Sequence, residues 1–466
     1  MCLSFLKACR GGTMSTPSVR SIHARWVATA EPDQPPVLED QVVTMESGRI
    51  TAIVPRASFA GTPDLHLPTH ILIPGLINCH THTPMALLRG YADDLPLQEW
   101  LFQHIFPTEG KFIFESGEDV AKEFVRRGSE LAIHEMLKTG TTLFNDMYFH
   151  GDITAEVVRR AGLRAVLAPM GLLYFGNDDM FAAAVKQNVD WCAKLASDGN
   201  DRIYPSFIPH SAYMVPQAKL EEAKLAYGTA LPGKKFVTHT HMHETKKEIS
   251  DLLEKAGKSA VEVFDEVGML ASGTVCAHCV HMTDEEVALL AARGVSVAHN
   301  PRSNLKLGSG IPPVIKMLQA GVNVCLGTDG AASNNTLDML TEMQYASMLA
   351  KGSTCDPTAL PAEEALRMAT ISGAKALGLE EVTGSLKVGK AADLVAVDLG
   401  QLETAPIFDP LGALVFTNRR EVTHVWVDGR CLVQYGKVLS LTLDMASIET
   451  LIESIGEFRK TLPGNT

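Results

Sequence analysis

The chain has 466 residues, 46% of them hydrophobic and 20% charged, and 41 Lys+Arg stand against 54 Asp+Glu for a net charge of −13. An acidic chain without a basic stripe argues against nucleic acid as a partner, and no apolar run reaches the roughly 18 residues that a membrane span needs. Nine cysteines without framework spacing suit reduced thiols and a cytoplasmic setting.

Residues 1–18 are short of apolar character for a signal peptide and are expected to form an irregular extension, with Met14 an alternative start. Residues 19–70 carry short β-like runs (21–30, 41–46, 49–55) separated by Pro, Gly and Asp. A matching β-rich block fills 385–445, where 393–398 and 422–428 run apolar or alternate. The two blocks are expected to build one small β-sandwich domain from both chain ends.

Between them, 71–384 alternates strands with helices. The strand candidates are 71–77, 140–149, 164–171, 202–209, 235–243, 273–280, 294–299 and 322–328. The clearest helix is 118–138, with Val125, Ala132 and Met136 on one face; others are 153–162, 180–197, 217–228, 246–256, 284–293, 313–320 and 362–378. Residues 446–466 read as a surface helix. Repeated βα units predict an α/β fold of the (β/α)8 TIM-like barrel type. An open doubly wound sheet is the alternative, but no Gly-rich phosphate fingerprint follows the first strand.

The chemistry-bearing residues fall at strand C-termini, the face where barrels place their sites. His80 and His82 are spaced i, i+2, which puts both imidazoles on one face of extended chain, where they can share a Zn2+. His239, His241 and His243 alternate at the end of the fifth strand; His241 with Glu244 is the preferred pair, because a glutamate just past the strand reaches a metal-bound water. His278 is preferred over His281 on the sixth strand. Asp329 ends the eighth and is expected to be a ligand and proton acceptor, with a plain turn residue as the bland alternative. The lone CxxC, Cys276 to Cys279, has no second pair and lies inside an apolar strand, so it is read as neither redox nor zinc site.

In this order PGxxxxHxH, HxHxxET, AHCVH, HNPRSNLKLG and GTDGAASNN resemble the amidohydrolase superfamily, and most of all its 5′-methylthioadenosine/S-adenosylhomocysteine deaminases and the related triazine hydrolases. The resemblance covers about residues 20–440. It implies one Zn2+ per subunit (Fe2+ being the alternative) held by His80, His82, His241 and Asp329, with Glu244 and His278 as acid/base and water-orienting groups. It also implies Trp100 against a purine, Glu109 on the ribose hydroxyls, His210 near the sugar and Ser333 near the base. The fourth strand, 202–210, lacks the lysine of binuclear members, which implies a mononuclear site.

The activity implied is hydrolytic deamination of an adenine-type nucleoside (5′-methylthioadenosine, S-adenosylhomocysteine or adenosine) to the inosine analogue and ammonia. Rivals are a triazine or guanine/8-oxoguanine amidohydrolase and, from another class, a non-catalytic scaffold on the same fold, against which the full ligand set argues. Partners are then the purine nucleoside and, since such barrels often pair, a second copy. Arg89, Arg164 and Arg302 are candidates by location for an S-adenosylhomocysteine carboxylate, with surface or structural roles as the alternative, and Met170–Gly176 matches no pattern.

Overall fold

Gly75 is where the chain leaves one sheet and enters another. The computed structural model describes residues 19–197, 202–233 and 236–462; the expected extension 1–18 and the last four residues of the C-terminal segment lie outside them. Strands β1 (Ser21–Val27), β2 (Leu38–Glu46), β3 (Arg49–Pro55) and β4 (Leu65–Pro74) join a sheet with four strands from the other chain end. Strand β5 (Leu76–Thr81) opens the barrel. The single strand expected at 71–77 is therefore two half-strands, and residues 71–74 belong with the chain-end sheet. The run is apolar on both sides of the break, so pattern alone does not reveal it. The break requires glycine, since a Cβ at Gly75 would lie 2.0 Å from Thr142 Oγ1.

The barrel continues with β6 (Thr141–Asp146), β7 (Arg164–Leu167), β8 (Ile203–Phe207), β9 (Val237–Met242), β10 (Thr274–His278), β11 (Ser296–His299) and β12 (Asn323–Leu326). Successive strands pair in parallel. Hydrogen bonds near the strand ends draw the last strand to the first. Asp329 N donates to His80 O at 2.9 Å, Asn78 Nδ2 to Thr328 Oγ1 at 2.7 Å, and Thr328 N to Asn78 Oδ1 at 3.0 Å. Gly327 permits this approach, because a Cβ there would lie 2.8 Å from the His80 backbone nitrogen. Across the barrel Ile77, Leu143, Val166, Val237, Val275, Ala298 and Cys325, one from each strand but Ile203–Phe207, belong to one buried apolar cluster that forms a floor. The site lies above it.

Strands β13 (Leu394–Asp398), β14 (Glu421–Val427), β15 (Arg430–Gln434) and β16 (Lys437–Val438) complete the chain-end sheet, with β13 antiparallel to β4. A buried ion pair ties this sheet to the barrel. Arg164 Nε, at the start of β7, donates to Asp393 Oδ2 at 2.8 Å, and Thr383 Oγ1 donates to the same oxygen at 2.8 Å. Both charged residues are buried, and Asp428 also pairs with Arg164. Removing one partner of a buried pair costs about 3–5 kcal/mol. Asp393→Ala should therefore lower the urea midpoint by that equivalent, and an unchanged midpoint would contradict the role.

The helices follow from period and caps. Thr245 with Glu248, Ser259 with Glu262 and Thr283 with Glu286 each form a reciprocal capping box. The expected helix at 362–378 is two, Ala362–Met368 and Ile371–Ala376. Helical segments not anticipated include Ala260–Glu266, Pro301–Lys306, Met339–Thr354, Pro410–Phe416 and the stretch 97–115, which includes wider π turns at Trp100–Ile105 and Gly110–Glu115. Among the described residues no helix is long and apolar enough to cross a membrane.

Candidate metal centre and nucleoside cleft

His80 lies in β5 and His82 just after it; His241 lies in β9, and Asp329 follows β12. Their donor atoms converge. His82 Nε2 is 3.3 Å from His241 Nε2 and 3.2 Å from Asp329 Oδ1, and His80 Nε2 is 3.3 Å from that same oxygen. A tetrahedron of ligands about 2.0–2.1 Å from zinc has edges of roughly 3.3–3.4 Å, so these separations fit one cation. The buried His80 Nε2 has no hydrogen-bond partner within the protein. That is the mark of a group awaiting a ligand.

The far side of each of these four side chains is held. His82 Nδ1–H donates to Met147 O at 2.5 Å and His241 Nδ1–H to His210 O at 2.9 Å. A carbonyl only accepts, so each ring keeps its Nδ1 proton and turns Nε2 into the cluster, where a cation would take the place of the proton that His82 otherwise holds. His80 Nδ1 lies 2.8 Å from His239 Nε2. Asp329 Oδ2 accepts from Ser303 Oγ at 2.6 Å and Ser333 Oγ at 2.8 Å, and Oδ1 accepts from Gly330 N at 2.8 Å. Burial pushes His80 down to about 4; burial also works against a charged His82, but the Asp329 carboxylate beside it holds that ring up at about 9. The aspartate thus draws positive charge into the cluster.

Beside the cluster, His278 ends β10 with Nδ1 2.8 Å from Asn304 Oδ1 and Nε2 3.8 Å from Glu244 Oε2. Glu244 is buried, and its burial raises the carboxyl to about 7. These groups open into a cleft of about 680 Å³, counting space open to solvent. Trp100, Glu109, His210, His241, Glu244, His278 and Asp329 all line it, together with Leu97, Leu101, Ile105, Phe149, Gly171, Leu173 and Leu307. Burial also raises Glu109 to about 7 and lowers His210 to about 3.

Some expectations are corrected. Ser333 does not line the cleft: the short helix Ala331–Asn334 turns it behind Asp329, where it supports that carboxylate. For the three arginines the structural alternative holds, and none lines the cleft. Arg89 pairs with Glu135, Arg164 with Asp393, and Arg302 lies 5.4 Å over the Tyr345 ring. Cys276 and Cys279 are buried free thiols. Sequence reasoning missed Asn304 and Ser303, although both belong to the run quoted for the seventh strand, and it assigned His239 no partner. Gly171 and Leu173 give the unassigned segment 170–176 a place on the cleft wall.

Residues 71–432 match the Amidohydrolase family. A 5-methylthioadenosine/S-adenosylhomocysteine deaminase of Teredinibacter turnerae is 42% identical over 436 residues, 91% of this chain and 94% of that protein. A 5′-deoxyadenosine deaminase of Methanosarcina barkeri is 41% identical over 420 residues, 89% of this chain and 93% of its own. Among solved structures, an adenosine deaminase from Xanthomonas campestris with bound zinc superposes with a TM-score of 0.83 at 38% identity, covering 95% of this chain and 98% of that one. The family and the histidine-rich cluster together support a divalent metal. By its strand-end histidines, its aspartate and its match along most of its length, the chain belongs to the amidohydrolase family.

Proposed function

We propose that the protein is a zinc-dependent deaminase that hydrolyses the exocyclic amine of an adenine nucleoside, releasing ammonia and the inosine analogue. The observation that carries the reading is the placement of the buried Glu244 carboxyl beside His278 and the His/Asp cluster, on the wall of an otherwise largely apolar cleft. The names of the relatives agree with it.

His80, His82, His241 and Asp329 would hold the cation, which when bound acts as a Lewis acid and lowers the pKa of water toward about 7. The protein's own groups do the rest. Asp329 and His278 Nε2 orient the attacking water and take its proton. Glu244 gives its proton to the ring nitrogen beside the amino-bearing carbon, which makes that carbon electrophilic. Water's oxygen bonds to the carbon, the C–N bond breaks, and the amine departs with a proton as ammonia. Trp100 packs against the base, while Glu109 and His210 face the sugar.

The cleft also favours a particular tail. Met85, Leu97, Leu101, Phe149, Leu173 and Leu307 offer apolar surface, and the lining cations are histidines alone among the described residues. Such a wall suits a 5′-methylthio or 5′-deoxy group better than an amino-acid tail whose carboxylate would be desolvated without a partner. Ammonia release from a panel of nucleosides, guanine and triazines tests the assignment. We expect kcat/KM for methylthioadenosine and 5′-deoxyadenosine to exceed that for S-adenosylhomocysteine by about tenfold or more, a difference of about 1.4 kcal/mol. Turnover of guanine or a triazine with none of any adenine nucleoside would overturn the reading.

A further inference from the structure

Glu342 is a wholly buried carboxylate that does not line the cleft. It sits in the first turn of the helix Met339–Thr354, whose start is set by Asp338 Oδ1 accepting from Leu340 N at 3.0 Å. Burying an anion is costly, so burial raises this carboxyl to about 8 and favours its neutral, proton-bearing form. Its two oxygens are shared between two separate turns. Oε1 accepts from Asn334 Nδ2 at 2.8 Å, and Oε2 accepts from Arg302 N at 3.3 Å. Asn334 Nδ2 donates in addition to Thr328 O, next to Asp329, at 2.6 Å.

Those two turns carry the serines that grip Asp329. Ser333 precedes Asn334, and Ser303 follows Arg302; both donate to Asp329 Oδ2 and so leave Oδ1 aimed at His80 and His82. We propose that Glu342 is a positioning residue that clamps the Pro301–Lys306 and Ala331–Asn334 turns and, through Ser303 and Ser333, sets the affinity of the cluster for its divalent cation. The inference rests on the reading of Asp329 as a ligand. Glu342 itself touches neither substrate nor cation.

The test is Zn2+ affinity, measured on the full-length protein by competition with a chromophoric chelator. Glu342→Gln keeps the volume but replaces one acceptor by an amide, so one of the two clamps is lost. It should weaken Zn2+ binding by about 10–100-fold, the range seen when groups supporting a ligand are altered. Combining E342Q with Ser303→Ala should weaken binding by less than the product of the two single effects, because both act on one carboxylate. Should E342Q fail to fold, Asn334→Ala cuts the same link and carries the same expectation. Affinity within twofold of wild type, or strictly multiplicative effects in the double variant, would overturn the proposal. If Asp329→Asn also leaves Zn2+ affinity unchanged, it is the ligand assignment that fails instead.

Discussion

Glu244→Gln is expected to retain the cation and to lose about 10²–10⁴-fold in kcat, the usual contribution of a positioned general acid. The glutamate is not one of the four converging donors; its Oε2 lies 3.8 Å from His278 Nε2. Gln has the same shape and can keep the 3.4 Å contact from Ser309 Oγ to Oε1, so metal content and melting temperature should stay near wild type. What it lacks is a proton to give. The sign of the pH dependence follows. Burial raises the Glu244 carboxyl to about 7, so the proton-bearing form dominates below that pH and the rate should fall as pH rises through it. In E244Q the falling limb assigned to this group should vanish along with most of the rate. Near-normal turnover in E244Q, with metal bound, would remove Glu244 from the chemistry.

Stripping the cation should have the other large effect. Dialysis against a strong chelator is expected to take ammonia release to background, and about one equivalent of Zn2+ per chain should restore it. His80 Nε2, buried without a hydrogen bond, and the facing Nε2 atoms of His82 and His241 at 3.3 Å are poorly satisfied without a positive centre. Binding to the folded chain alone also stabilises it by mass action, about 2.7 kcal/mol at a hundredfold excess over Kd. Melting temperature should therefore climb with free Zn2+ and fall on chelation. Full activity in protein shown by elemental analysis to hold less than about 0.1 metal per chain would sink the metal assignment and the mechanism with it.

What was legible in the sequence is what local spacing controls. The i, i+2 step of His80 and His82 and the strand-end places of Glu244, His278 and Asp329 are short-range patterns, and alternating βα periodicity carried the barrel. What was not legible depends on contacts across the barrel. His239 supports His80 from 159 residues away, and nothing near either residue signals the pairing. Ser333 lies four residues past Asp329, and only the turn at Ala331–Asn334 decides that it faces the carboxylate and not the cleft. The arginines show the same limit: Arg164 follows a strand pattern well enough, but its partner Asp393 comes from the far end of the chain. The division at Gly75 escaped because both flanking runs are apolar.

The hydrogen bonds that join β5 to the turn after β12 link positions 250 residues apart, as between Asn78 and Thr328. The residues proposed as ligands come from both sides of that join. A ribosome must therefore finish the eighth barrel strand before the ion has a complete nest, however early His80 and His82 emerge. Metal loading is then expected only of the finished ring, and a nascent chain arrested before residue 329, with three histidines but neither Asp329 nor the closing contacts, should hold zinc far more weakly than the whole protein.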